Sequence, residues 1–319
     1  MAKIKEMNIE DLPGVGAATA EKLKDAGYQT LMAIAVASPG ELVESAGVGE
    51  AVARKMINTA RNNLDMGFMS GDELLKKRED IIRISTGSKA FDAMVNGGFE
   101  SGGITECYGQ FGSGKSALAH QLAINGLDIN EQGEPQAYTI WIDSENTFRP
   151  ERIKEICENN NYDAMKILKN IKVVRAFNSD HQMMCAEKVE DLINKESLKV
   201  KLVVVDSLMT HFRSEFIGRG TLSDRQQKIN KHMHVLMKLA DTFNLCVYVT
   251  NQVMSKPDTF FGDPTAAIGG NIVGHNSQTR IYLRRGKADT RVAKLVDSPY
   301  LADGEAIFKI SEKGIIDAK

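Results

Sequence analysis

From residue 81 onward, short and nearly continuous apolar runs alternate with longer stretches of mixed character. The segments at 104–108, 137–142, 171–176, 201–205 and 245–250 predict strands, and a near-continuous apolar run such as 245–249 suits a strand buried on both faces. The stretches at 117–123, 151–160 and 181–194 predict helices between them. Such alternation predicts an α/β fold with a mostly parallel central sheet covered on both sides. Toward the end the pattern changes. Runs at 279–284, 291–296 and 305–310 follow one another through short loops, which predicts antiparallel additions to the sheet.

Residues 1–64 read as a separate all-helical module. Gly14-Val15-Gly16 and Gly47-Val48-Gly49 each stand immediately before a helical pattern, at 17–23 and 50–57. A glycine turn there frees backbone N–H groups at a helix N-terminus, which suits a DNA phosphate. This is a helix-hairpin-helix pattern, and Gly14, Gly16, Gly47 and Gly49 are its candidate DNA contacts. One copy could simply join two helices. A second copy in the same small module favours DNA binding. Residues 65–80 link this module to the core at 81–319, and Leu74-Leu75-Lys76-Lys77-Arg78-Glu79-Asp80 within the linker is charged and helical in pattern.

Length and charge narrow the field. The 319 residues suffice for one large core plus a smaller module. A formal net charge of −2 gives no bulk electrostatic pull on nucleic acid, so such contacts must rest on local sites. The longest clear apolar run, 31–37, is too short to span a membrane, and the first residues lack the apolar core of a secretory signal. Cys107, Cys157, Cys185 and Cys246 are scattered with no C-x-x-C pair. That spacing argues against a zinc or disulfide framework and predicts reduced, mostly buried thiols in a cytoplasm.

The sharpest chemical signal is Gly109-Gln110-Phe111-Gly112-Ser113-Gly114-Lys115-Ser116, followed by Ala117. It meets the phosphate-loop pattern G-x-x-x-x-G-K-[ST] at every fixed position, between a predicted strand and a predicted helix. Its glycines let successive N–H groups converge on phosphate oxygens. Lys115 adds a cation for the β- and γ-phosphates, and Ser116 a hydroxyl for Mg²⁺. A nucleoside triphosphate is the predicted ligand. Asp206 closes the run at 201–205 and is placed for the water shell of that Mg²⁺. Asp143 and Glu145 close another strand. Glu145 there could orient an attacking water, and either carboxylate could equally cap the next helix. Two segments, 212–225 and 253–268, are poor in apolar residues and long for loops of an α/β core. Arg213, Arg219 and Arg225 around the glycines of the first could track phosphates, although a solvated surface loop has the same composition.

Taken together, several segments resemble the RecA-type strand-exchange ATPases, most closely the archaeal RadA recombinases. They are the phosphate loop, Ile142-Asp143-Ser144-Glu145-Asn146-Thr147-Phe148-Arg149-Pro150-Glu151-Arg152, Arg175-Ala176-Phe177-Asn178, Gly218-Arg219-Gly220, Arg225-Gln226-Gln227 and Thr250-Asn251-Gln252-Val253. The resemblance covers essentially the whole chain, hairpin module included. It implies a RecA-like phosphate-loop ATPase core, acting as a DNA-dependent ATPase. Such a protein polymerises as a helical filament on single-stranded DNA and exchanges strands with a homologous duplex.

Site roles follow from the resemblance residue by residue. Lys115 and Ser116 would bind ATP and Mg²⁺, Asp206 would be the Walker B carboxylate, and Glu145 would polarise the attacking water. Arg152 would stack on the adenine. The two long segments would be DNA-binding loops, with Gln252 and His275 linking the γ-phosphate to the second. Phe68-Met69-Ser70-Gly71 is similar to the family's polymerisation motif, with Gly71 where alanine is usual. Phe68 would dock in a neighbour's pocket, on a segment that here carries Val173, Val174 and Val189. Asp297-Ser298-Pro299-Tyr300-Leu301-Ala302 resembles the segment that caps a neighbour's ATP, and Asp297 leaves a place for K⁺ at that interface. Departures are Gln110 for a frequent acidic residue, Asn146 for a common glycine and Ala302 for a usual proline.

The implied partners are single- and double-stranded DNA and further copies of the chain in filaments or rings, with room for mediator proteins and no membrane. The implied location is an archaeal cytoplasm, at the nucleoid. Two rival functions remain in view. One is a regulatory relative that binds ATP and DNA without exchanging strands. The other is a small-molecule kinase, against which the paired hairpins and long segments speak.

Overall fold

The computed structural model describes residues 8–28, 30–64, 69–255 and 265–318. They fall into two compact units, Met1–Glu79 and Asp80–Lys319.

In the first unit the helices are α1 (Ala17–Asp25), α2 (Leu31–Val36), α3 (Pro39–Ala46), α4 (Glu50–Asn63) and α5 (Gly71–Lys77). Ser38 caps α3 through a reciprocal box with Glu41, and Ser70 caps α5 through the same box with Glu73. Leu23, Ile34, Leu42 and Met56, all fully buried, centre the small core shared by α1 to α4. The two glycine turns behave alike. Gly16 caps α1 and Gly49 caps α4, and neither offers a side chain to the first-turn N–H groups. Gly14, at φ +83°, lies so near α4 that a Cβ would sit 2.6 Å from Val52 Cγ1. Only glycine lets the first hairpin come that close to the helix of the second.

The second unit opens with β1 (Arg83–Ile84), α6 (Lys89–Met94) and β2 (Phe99–Glu100). Its βα core follows: β3 (Ile104–Gly109), α7 (Lys115–Asn125), β4 (Tyr138–Asp143), α8 (Pro150–Asn159), α9 (Ala164–Lys169), β5 (Ile171–Arg175), α10 (Ser179–Asn194) and β6 (Val200–Asp206). Next come α11 (Thr210–Glu215), α12 (Leu222–Thr242), β7 (Cys246–Asn251), β8 (Val253–Ser255), β9 (Thr265–Ala267) and α13 (Gly270–Asn276). The chain closes on β10 (Thr279–Arg285), β11 (Thr290–Asp297), β12 (Glu305–Ser311) and β13 (Gly314–Asp317).

Nine strands form one sheet in the order β13-β12-β11-β10-β3-β7-β6-β4-β5. From β10 to β5 all neighbours are parallel. Strands β3 and β7 are buried at every position, their polar residues included. Apolar clusters on the two faces are centred on Trp141, Leu118 and Phe308 and on Val203, Val249 and Leu236.

The structure departs from the sequence expectation at three places. β10 pairs antiparallel with β11 but parallel with β3, so it belongs to the parallel core. α13 is the crossover that returns the chain in that direction. The segment 212–225 is largely helical. Phe212 is fully buried on α11, and α12 starts at Leu222 with an apolar stripe through Ile229, Met233 and Leu236. In 253–268, β8 and β9 pair antiparallel, and residues 256–264 lie outside the described residues.

All four cysteines are buried and free. Burial raises the thiols of Cys157 to about 11 and Cys246 to about 12, so both stay protonated and inert near neutrality. Among the described residues no helix is long and apolar enough to cross a membrane.

Candidate nucleotide-binding site

The parallel order places the carboxyl ends of β3, β4, β6 and β7 along one edge, where α/β sheets bind ligands. A cavity of about 620 Å³ opens there. The phosphate loop forms its floor. Gly114, at φ +106°, turns the chain into α7, whose first residue is Lys115. That left-handed conformation strains any residue with a Cβ. The α7 N-terminus then faces the cavity with its free N–H groups and positive dipole end. Gly109, Gln110, Phe111, Gly112, Ser116 and Ala117 also line the cavity. Ser113 is buried beneath the loop and accepts from Lys115 Nζ at 3.5 Å.

Lys115 is tied down at both ends. Its Nζ donates to the carbonyls of Gly109 at 2.8 Å and Gln110 at 3.0 Å. Its own carbonyl accepts from the hydroxyl of the buried Tyr248 at 3.0 Å. Burial lowers the pKa of the ammonium, while the charges of Asp206 and Glu145 oppose that shift. A triphosphate would add negative charge of the same sign as those carboxylates and favour the ammonium further.

Asp206 and Asp143 end adjacent strands in register. Asp206 accepts from Thr147 Oγ1 at 2.7 Å on one oxygen and from Thr250 Oγ1 on the other. With Ser116 on the same cavity wall, this makes a hard oxygen set that fits Mg²⁺. Asp143 does different work. It accepts from the N–H groups of Glu145 at 3.2 Å, Thr147 at 3.0 Å and Phe148 at 3.1 Å. These bonds fold the turn after β4, whose tip is Asn146 at φ +60°.

Glu145 is thereby set on the cavity wall. Its Oε1 accepts from Gln252 Nε2 at 2.9 Å and from Thr210 Oγ1. His120 braces the same turn from α7. Arg149 N donates to His120 Nε2 at 3.0 Å, so the ring proton sits on Nδ1 and points at the Ser116 carbonyl, 2.6 Å away. Burial lowers the His120 pKa. Charging the ring would also break the bond from Arg149.

Other expected site residues stand outside this cavity. The Arg152 guanidinium donates to the Ser311 carbonyl and to Glu155. Asp297 is exposed at the end of β11, and His275 is exposed on α13, beyond β9. Arg213 is exposed on α11. Arg225 is half-buried on α12, its Nε without a hydrogen-bond partner among the described residues. Arg219 opens a short 3-10 turn, its side chain outside the described set. Gly71 begins α5, and Phe68 lies outside the described residues. Val189 is fully buried, whereas Val173 is exposed on β5.

Several residues of the site are not singled out by the sequence. Thr147, Thr250 and Thr210 supply hydroxyls to the carboxylates, and Arg291 and Ile310 line the cavity from β11 and β12. Thr147 and Thr250 stand inside the motifs that carried the resemblance. Arg291 and Ile310 come from strands far along the chain and carry no local signal. In the hairpin unit Lys22 joins the set, because its Nζ lies 3.8 Å from where a Gly47 Cβ would stand.

The family profile described as Rad51 matches residues 77–318, well over half the chain. The chain belongs to the Rad51 family. A second profile, the SAM-like helix-hairpin-helix tandem, matches residues 7–62. Rad51-family proteins are DNA-dependent ATPases that use ATP and Mg²⁺. The family and the tandem together imply DNA binding and oligomerisation here. They also account for the RecA-like sheet and the separate helical unit.

Proposed function

We propose that this chain hydrolyses ATP under the control of DNA, assembles as a helical filament on single-stranded DNA and exchanges that strand with a homologous duplex, as an archaeal RadA recombinase does. The observation that carries the reading is the 2.9 Å bond between Gln252 Nε2 and Glu145 Oε1. It joins a carboxylate on the nucleotide cavity to the residue that precedes the β8–β9 pair. A device of this kind lets one segment report on the other.

When bound, Mg²⁺-ATP supplies the bond to be cleaved and a metal that offsets charge on the phosphates. Lys115 would exchange its loop carbonyls for phosphate oxygens. Ser116 and Asp206 would hold the metal, Asp206 through water. Glu145 would orient the attacking water and take its proton. Gln252, released from Glu145, would follow the γ-phosphate and move the second segment, with His275 on the far side of it. Arg213, Arg219 and Arg225 would hold the strand by its phosphates, and Gly14, Gly16, Gly47 and Gly49 would seat a duplex. Arg152 would stack on the base, Phe68 and Gly71 would join neighbours, and Asp297 would hold K⁺ at the ATP of the next subunit. Mediator proteins and a place at the nucleoid belong to the same reading.

Joint-molecule formation between a single strand and a supercoiled homologous duplex tests it. ATP-dependent joint molecules are expected. Their absence in a preparation that still binds ATP and DNA would overturn strand exchange in favour of the regulatory relative.

A further inference from the structure

Glu106 is the one charged side chain on β3, and it is fully buried in the middle of the sheet. A carboxyl at such a site is costly unless its oxygens are matched. Both are. Oε2 accepts from Arg280 Nε at 2.7 Å, across from it in register on β10. Oε1 accepts from Asn251 Nδ2 at 2.8 Å, on β7 at the other side. An apolar residue would fill this position at less cost, so the polar network calls for a reason beyond packing.

Asn251 shows where the network leads. Its Nδ2 also donates to the Ile268 carbonyl at 2.6 Å, and its Oδ1 accepts from Gln252 N at 2.8 Å. Ile268 N in turn donates to the Gln252 carbonyl at 3.0 Å. Both hydrogens of the Asn251 amide are thus used and its oxygen is engaged, and it ties both feet of the β8–β9 pair to the sheet. One foot is Gln252, whose side chain holds Glu145. Glu106 fixes which way that amide faces, because its carboxyl can accept from Nδ2 and cannot donate to Oδ1.

Arg280 extends the network to the next element. Its guanidinium lies over the Tyr108 ring, 5.4 Å from the centroid, and against α13 at Gly274. A Cβ on Gly274 would come within 3.1 Å of Arg280 Nη1. The absence of a side chain there lets α13 rest on the guanidinium, one residue from His275.

We propose that Glu106 is a positioning residue for the ATP-to-DNA link: through Asn251 it sets Gln252 and the Ile268 foot, and through Arg280 it sets α13. The inference rests on the proposed reading that Gln252 and the segment after it couple hydrolysis to DNA. Glu106 itself does not line the nucleotide cavity.

The test uses the full chain with Glu106→Gln, which keeps shape and replaces one acceptor by a donor. Arg280→Lys, at the rim, is the milder companion should Glu106→Gln fold poorly. Amide hydrogen exchange without DNA is the first readout. Faster exchange confined to 251–253 and 265–276 is expected, with the phosphate loop unchanged. The second is the ratio of ATP turnover with saturating single-stranded DNA to turnover without it. That ratio should fall by roughly 3- to 30-fold while nucleotide affinity without DNA stays within about 2-fold of wild type. Unchanged exchange at those segments overturns the network. Altered exchange with an intact ratio makes Glu106 merely structural and overturns the coupling role. A wild-type protein with no DNA stimulation overturns the proposed function instead, and the exchange result still decides the network.

Discussion

Asp143 and Glu145 stand two residues apart after the same strand and do opposite things. Asp143 turns inward and collects three backbone N–H groups, whereas Glu145 faces the nucleotide cavity. The sequence shows two carboxylates and cannot say which one folds the turn and which one the turn presents. That choice depends on where the backbone N–H groups of Glu145, Thr147 and Phe148 fall. Glu145→Gln should therefore keep ATP and DNA binding and lower turnover by ~10²–10⁴-fold, since a glutamine orients water but cannot accept its proton. Near-normal turnover by that variant would remove Glu145 from the mechanism. The buried histidines give a second expectation at this scale. Burial lowers His232 from 6.5 to about 4 and lowers His120 as well. Between about 4 and 6.5 the unfolded chain protonates a histidine that the fold keeps neutral at His232, and His120 acts in the same direction. Stability is thus full above about pH 6.5 and is lost as pH falls from there toward about 4, by up to about 3 kcal/mol for His232. The melting temperature should drop on acidification over that window, and a flat profile there would contradict the assignment.

At the scale of elements, most core strands are readable because burial on both faces favours apolar residues at nearly every position, and the buried polar residues that interrupt them, Glu106 and Asn251 among them, belong to hydrogen-bond networks. Their order was not readable. The run at 279–284 has the same pattern whether it pairs with β3, with β11 or with both, and only the crossover α13 decides. The first long segment misled for a related reason. Its polar residues suggested a loop, yet Phe212 and the stripe on α12 supply enough burial for helices on either side of a short turn at 219–221. The arginines of that segment are expected to act on phosphates. Arg219→Ala should weaken single-stranded DNA binding on every sequence alike. It should also flatten the plot of log affinity against log salt by roughly 0.7, the counterion release of one phosphate contact. A salt series with two unrelated oligonucleotides checks this. A constant slope, or a loss on one sequence only, would show that Arg219 merely orders the turn.

At the scale of the whole molecule, each chain carries a nucleotide cavity, two segments expected to meet DNA and a tandem of hairpins, so strand exchange would need many copies acting in line. Phe68→Ala should break that assembly while leaving each unit folded, at ~2–4 kcal/mol per contact for a buried interface anchor. Light scattering at equal concentration reads the outcome, and an unchanged particle size would place the anchor elsewhere. Within each copy, the bond between Gln252 and Glu145 is proposed to tie hydrolysis to DNA. It is tested most directly by ATP turnover at saturating nucleotide, with and without single-stranded DNA, in the wild type and in Gln252→Ala. A clear rise with DNA is expected in the wild type, and its loss in the variant, with ATP still bound. Equal turnover with and without DNA in the wild type, or undiminished stimulation in Gln252→Ala, would contradict it.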